Sequence, residues 1–371
     1  MCPERENLLL DHASALSRRH FSAISSAAVF LLSGRAAFGT IANSTSGLEL
    51  IAAKAEQGGF NGCVFIADRG NALMDRAYGW TSPARQERVE KSTIFNIASV
   101  TKAITAAAIL KLAERNKLHL TTTLVNVFPD IPADKRSISI EELLAHTSGL
   151  PDKYAANGCR TRDAALRAIF ALPLTNAPGM HFQYTDDGYA LLAAIIENTS
   201  GDSYNDFVRN IIFRSAGMRE TKFWNEVDDR KDKNVARIVT LPIEDRDRGM
   251  NWGYIGSGGI WSTAEDLARF FYALRAGLIL NPGSVNEMMK PRVKVSVGAA
   301  GFGWYVGKSL AGTPLVFARG NEDWGHSALI FWYPDRSILM TIVTNSGFQE
   351  DTPVSRILAG RLESVLLALP I

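Results

Sequence analysis

The stretch Asn96-Ile97-Ala98-Ser99-Val100-Thr101-Lys102 decides how this chain is read. A serine is followed three residues later by a lysine, and the run from Ala103 to Lys117 behind it reads as a long helix. Residues at i and i+3 share one helix face, so Ser99 Oγ and Lys102 Nζ can meet in the first turn. The unpaired N–H groups of a helix N-terminus can bind a developing oxyanion. Its positive dipole end opposes a second positive charge and so favours an uncharged Lys102. The expectation is a neutral lysine that takes the serine proton. The same spacing also arises from an N-cap serine beside a solvated lysine, so the rest of the chain has to decide.

At 371 residues, 46% hydrophobic and 21% charged, the chain can bury a large core and has an ordinary globular composition. A formal charge of +2 gives no nucleic-acid surface. There is no Gly-rich phosphate loop, the six histidines do not cluster at metal-ligand spacing, and the three cysteines form no C-x-x-C pair. No metal, nucleotide or other cofactor is expected, and Cys63 and Cys159 read as buried free thiols.

Residues 1–43 read as an export signal rather than as part of the fold. Ser17-Arg18-Arg19-His20-Phe21 is a twin-arginine pattern, Ala23 to Leu32 is an apolar run, and Arg35-Ala36-Ala37-Phe38-Gly39 offers small residues for cleavage. The run is too short for an ordinary membrane span, and no cysteine follows it to carry a lipid. The expected destination is a periplasm, with no stable membrane anchor.

From residue 44 onward the elements alternate in an informative order. Leu48 to Gln57 reads as a helix, and Gly62 to Ala67 and Ala72 to Tyr78 as a hairpin around Asp68-Arg69-Gly70-Asn71. Ser139 and Glu142 have capping-box spacing, and His146 ends that helix as a structural group. Arg162 to Ala171, Gly188 to Asn198, Tyr204 to Arg214, Thr263 to Arg275 and Pro353 to Leu367 read as helices, with Gly201 and Gly217 as stops. Gly256-Ser257-Gly258-Gly259 reads as backbone under close approach. Phe302 to Val306, Leu315 to Ala318, Ala328 to Trp332 and Ile338 to Val343 read as strands. The fold class is α/β (α+β): an antiparallel sheet built from both chain ends (about 60–80 and 300–345), flanked by helices, with an inserted helical region at about 100–290.

With these segments in hand, the chain resembles the serine β-lactamase and penicillin-binding-protein superfamily. The branch it is most similar to holds class C β-lactamases, D-aminopeptidases, D-Ala-D-Ala carboxypeptidases and lactamase-like esterases. The resemblance rests on residues 97–102, on Leu144-Ala145-His146-Thr147-Ser148-Gly149-Leu150-Pro151, on Phe182-Gln183-Tyr184-Thr185-Asp186-Asp187-Gly188-Tyr189 and on residues 258–267. It implies a β-lactamase-like fold and acyl transfer through Ser99, with Lys102 and Tyr184 moving the serine proton. An ammonium beside Tyr184 would ease its ionisation.

Two departures from the family pattern stand out. Asp186 occupies the place of an asparagine in the Tyr-x-Asn motif. The Lys- or His-x-Gly motif has two registers: Arg319-Gly320-Asn321, which the spacing to the final hairpin favours, and His326-Ser327-Ala328. The first register leads to an expected ion pair between Asp186 and Arg319 across the cleft, which would occupy the cation that holds a substrate carboxylate in the family. It also puts the second oxyanion donor near Glu322. Asp186, Arg319, Asn321, Glu322 and His326 are therefore the candidate substrate-binding residues. The implied partner is a small neutral ester, amide or peptide-like substrate. D-Ala-D-Ala carboxypeptidase or D-aminopeptidase, class C-like β-lactamase and a non-hydrolytic penicillin-binding or sensor domain are the alternatives. The natural substrate and oligomeric state stay open.

Overall fold

A computed structural model of the chain describes residues 41–228, 231–237 and 251–368. The twin-arginine segment lies outside the described residues.

The framework is an eight-stranded antiparallel sheet in the order β2-β1-β11-β10-β9-β8-β7-β6. The hairpin β1 (Gly62–Asp68) and β2 (Asn71–Tyr78) comes from the start of the described chain. Three short strands, β3 (Phe95–Asn96), β4 (Lys222–Phe223) and β5 (Ile260–Ser262), form a separate small sheet in the order β3-β5-β4. The last third supplies β6 (Val293–Val295), β7 (Gly298–Ala300), β8 (Tyr305–Lys308), β9 (Pro314–Asn321), β10 (Ser327–Tyr333) and β11 (Ile338–Thr344). β1 pairs with β11, so the two chain ends are joined through Gly62–Thr344 and Asp68–Ile338 register partners.

Both faces of the central strands are covered. Every residue of β11 is buried, as expected for a strand with no solvated face, which reads as a continuous apolar run. On one side Val64 and Ile66 of β1 and Met340 and Ile342 of β11 pack with α1 (Ile41–Gln57). The larger core lies on the other side. It is built around α2 (Thr101–Glu114), whose residues from Thr101 to Leu110 are all buried. A helix that is apolar all round is one surrounded by other elements.

The inserted region follows as α3 (Ile140–Leu144), α4 (Arg162–Ala171), α5 (Asp186–Ser200), α6 (Tyr204–Val208) and, after a π turn, α7 (Arg214–Ala216). Ser139 caps α3 in the expected box with Glu142, and Gly201 and Gly217 end α5 and α7 in the left-handed conformation. α8 (Ala264–Arg275) and α9 (Pro282–Met289) lead back to the sheet, and α10 (Val354–Leu366) closes the chain beside α1 on the first face. Cys63 and Cys159 are buried and unbridged.

Candidate active site

Ser99 does not open the long helix. It sits in a 3-10 turn, Ala98–Val100, immediately ahead of α2. Ala98 has φ +48°, a left-handed value that costs a β-carbon residue of order 1 kcal/mol or more. The turn is held from both sides. Asn96 Oδ1 accepts from the Ala98 N–H at 2.9 Å and Asn96 Nδ2 donates to Gly258 O at 3.0 Å. The Asn96 N–H donates to His326 Nδ1 at 3.0 Å.

Ser99 Oγ lies 2.6 Å from Tyr184 Oη and accepts from Lys102 Nζ at 2.9 Å. Lys102 is buried, and its Nζ also donates to Ser257 O at 2.9 Å. Asp186 Oδ1 lies 2.5 Å from the same nitrogen, as an ion-pair contact rather than an aligned hydrogen bond. A nitrogen ringed by a hydroxyl, a carbonyl and a carboxylate is placed as an ammonium, which has three protons to donate and no lone pair. The expected ion pair between Asp186 and Arg319 is therefore not what forms: Asp186 pairs with Lys102. The expectation of a neutral lysine weighed only the helix dipole; a full charge in direct contact acts in the opposite direction.

Tyr184 also differs from expectation. Burial, and next the charge of Asp186, hold its hydroxyl well above the usual phenol range, so it rests as a phenol. His146 stacks on its ring with centroids 4.6 Å apart, and His146 Nδ1 accepts the Thr185 N–H at 3.3 Å. Burial, assisted by the charge of Lys102, pushes His146 down to about 3, so it stays neutral and acts as a support.

The opposite wall is β9. A β-carbon on Gly320 would lie 2.4 Å from the Ser99 nitrogen and 2.7 Å from Ile97 O, so only glycine lets the strand run this close to the serine. The Glu322 N–H is already committed, donating to His326 O at 2.8 Å. Strand alternation then turns the Asn321 N–H away from β10, and β8 ends level with Phe317 and leaves that side open. The free strand donor facing the Ser99 turn thus belongs to Asn321, the residue before Glu322.

Between the walls lies a cleft of about 560 Å3, lined among others by Ser99, Tyr184, Asp186, Arg319, Asn321 and Glu322. Arg319 is partly buried, stands 5.6 Å over the Phe317 ring and forms no ion pair with a described carboxylate. Burial and the nearby Arg356 charge lower its pKa. His326 is not a wall residue. It is fully buried behind the Ser99 turn, 5.1 Å from the Trp261 ring, and burial pushes it down to about 4. Of the five substrate-binding candidates, four line the cleft and His326 supports the strand before the serine turn.

Sequence reasoning assigned no role to Asn96 or Trp224. Trp224 and Trp324 pack edge to face at 5.5 Å on the cleft wall. The glycine run at 256–259 was the visible signal for the Ser257 carbonyl. A β-carbon on Gly256 would lie 2.4 Å from Tyr189 O, and this close packing presents the carbonyl to Lys102.

Comparison with known proteins agrees with this fold. Residues 49–362 match the family model described as Beta-lactamase. The chain is similar to Penicillin-binding protein 4* of Bacillus subtilis, 29% identical over 84% of this chain and 73% of the relative. It is similar to the D-alanyl-D-alanine-carboxypeptidase/endopeptidase AmpH of Escherichia coli, 24% identical over 78% of this chain and 80% of that one. Among solved structures, a beta-lactamase/D-alanine carboxypeptidase from Yersinia pestis superposes with a TM-score of 0.74 at 21% identity, covering 89% of this chain and all of the other. With the Ser99 turn, the sheet and the matched span in agreement, the chain belongs to the Beta-lactamase family and is a serine hydrolase of that family.

Proposed function

We propose that the chain hydrolyses small carboxylic esters or amides through an acyl-enzyme on Ser99. The observation that carries this reading is the joint contact of Ser99 Oγ with Tyr184 Oη and Lys102 Nζ at the floor of an open cleft. Ser99 Oγ attacks the carbonyl as its proton passes to Tyr184, and Tyr184 gives its own proton to the leaving oxygen or nitrogen. The tyrosine acts as a relay and never has to persist as a phenolate. The Lys102 ammonium stabilises the charge that builds on Oγ, and Asp186 keeps that ammonium charged. The carbonyl oxygen is received by the Ser99 and Asn321 N–H groups. In the second half, water attacks the ester on Ser99, its proton returns through Tyr184 to Oγ, and the acid leaves.

A second reading has a specific observation behind it. Among the described residues Arg319 has no carboxylate partner, so the ground for ranking carboxylate-bearing substrates below neutral esters is gone. A guanidinium suits a carboxylate in bidentate geometry, which favours D-Ala-terminated peptides or β-lactams as the second substrate class. Turnover of p-nitrophenyl acetate and butyrate, lost in Ser99→Ala, tests the first reading. Hydrolysis of a chromogenic cephalosporin or a D-Ala-D-Ala peptide at higher kcat/KM than the esters would move the assignment to the second.

Export by the twin-arginine segment is part of the same proposal. Among the described residues no helix is long and apolar enough to cross a membrane. Detection of the protein in a periplasmic fraction, abolished by replacing Arg18 and Arg19 with lysine, is the expected result.

A further inference from the structure

Tyr184 stands in the stretch 182–185, ahead of α5, which belongs to no helix or strand. Its hydroxyl lies 2.6 Å from Ser99 Oγ, within the reach that a proton relay requires. Regular secondary structure does not hold the phenol there, and His146 is in contact with the whole stretch. The His146 carbonyl accepts the Gln183 N–H at 2.8 Å. Its ring stacks on the Tyr184 ring, with centroids 4.6 Å apart and an angle of 27° between the planes. Its Nδ1 accepts the Thr185 N–H at 3.3 Å. The same ring meets Phe182 edge to face, with centroids 5.7 Å apart. One residue thus holds four consecutive ones.

His146 is itself anchored on its other side. Its N–H donates to Leu143 O at 3.2 Å, at the end of α3, and Tyr189 Oη on α5 donates to Leu144 O at 3.0 Å. Its backbone is left-handed, with φ +58°, a region that histidine enters more often than most residues with a β-carbon. Such strain persists only where the surrounding structure over-determines it, and it collects at functional sites. Burial, assisted by the charge of Lys102, keeps the ring neutral, so Nδ1 retains the lone pair that accepts from Thr185. Three demands meet at this position: a left-handed backbone, a flat ring and a ring acceptor. Phenylalanine supplies the ring alone. Asparagine supplies the backbone and an acceptor without the ring. His146 lies outside the lining of the substrate cleft, so none of this serves substrate contact.

We propose that His146 is the positioning residue of the tyrosine relay: it fixes the Tyr184 hydroxyl beside Ser99 Oγ for both halves of the reaction and touches no substrate. This rests on the acyl-enzyme reading of Ser99 and adds to it a residue that acts through Tyr184. The stack and the two hydrogen bonds act together, so loss of either the ring or the acceptor lets the phenol drift from the serine.

The test is a double-mutant cycle. His146→Phe and His146→Asn, each alone and combined with Tyr184→Phe, are assayed with p-nitrophenyl acetate below their thermal transitions. Each single variant is expected to lose about tenfold or more in both kcat and kcat/KM, the penalty of a misplaced relay group. In the Tyr184→Phe background the same substitutions are expected to change these constants less than about twofold, because the hydroxyl that His146 places is gone. Equal losses in both backgrounds make His146 a general packing residue and overturn the proposal, as do unaltered kinetics in either single variant. Nitrogen NMR of the unaltered chain at pH 7 provides a reading that does not depend on how the variants fold. His146 is expected to be protonated on Nε2 and unprotonated on Nδ1; the reverse tautomer or an imidazolium removes the hold on Thr185 and overturns the proposal. A fluorophosphonate label on Ser99 with any of these contrary results leaves the hydrolase reading standing. Its absence from the unaltered chain overturns that reading and the role of His146 with it.

Discussion

The two walls of the cleft are built on opposite plans. On the helical wall the charged groups meet each other: Lys102 has Ser99, Ser257 and Asp186, and His146 stacks on Tyr184 as a neutral support. On the strand wall Arg319 and Glu322 have no ionic partners among the described residues, although backbone hydrogen bonds hold β9 against β10. On the proposed reading the helical wall performs the chemistry, and its charges are neutralised in advance, so it need not reorganise when substrate arrives. The strand wall keeps Arg319 unpaired among the described residues, where an incoming ligand can satisfy it.

This contrast can be broken in several places. The largest effect is expected where the walls touch. In Gly320→Ala the new methyl meets two backbone atoms of the serine turn, so strand and turn must separate. A displacement of this size costs on the order of 100-fold in kcat/KM, and overpacking costs about 1–3 kcal/mol of stability. Wild-type kinetics in this variant would show that the walls are not in register as described.

Asp186→Asn sharpens the contrast on the helical wall. The substitution removes the carboxylate that lies 2.5 Å from Lys102 Nζ. If the ammonium is the working form, kcat at pH 7 falls by about tenfold or more. A rise in rate at neutral pH would instead identify Lys102 as a neutral base. On the strand wall, Arg319→Gln is expected to lower kcat/KM for carboxylate-bearing substrates by about tenfold, or 1.4 kcal/mol, relative to p-nitrophenyl acetate. An equal loss on both would make Arg319 a structural residue.

The smallest effect falls on stability alone. His146 and His326 are held neutral in the fold, at about 3 and about 4, against about 6.5 in an unfolded chain. Below pH 6.5 the unfolded chain binds protons that the folded one does not, so stability is full above that value. It falls by up to about 1.4 kcal/mol per pH unit for each histidine as pH drops toward the folded values. Thermal midpoints measured from pH 7 to pH 5 should decline, and His326→Asn should decline less steeply than the unaltered chain.

The helical wall was largely legible in the sequence. Ser99 and Lys102 are three residues apart, and local geometry alone brings them together. The capping box at Ser139 and Glu142, the stops at Gly201 and Gly217 and the hairpin at residues 62–78 are likewise local devices. What was misread depends on distant partners. Asp186 and Arg319 line the same cleft, and only the packing of α5 on α2 assigns Asp186 to Lys102. The expected strand donor near Glu322 narrows to Asn321 only once the turn hydrogen bond to His326 fixes the parity of the strand. The two-residue strands β3 and β4 and the short edge strands β6 and β7 carry too few residues to show alternation. The left-handed Ala98 leaves no trace in residue type at all.

The central claim is that Ser99 carries the acyl group in turnover. Acid quenching during turnover of p-nitrophenyl butyrate, followed by trypsin digestion and mass spectrometry, reads this directly. The account predicts a butyryl mass increase on the peptide Ser92–Lys102, localised to Ser99 and retained longer in Tyr184→Phe. Acylation of any other residue, or unchanged turnover in Ser99→Ala, would contradict it.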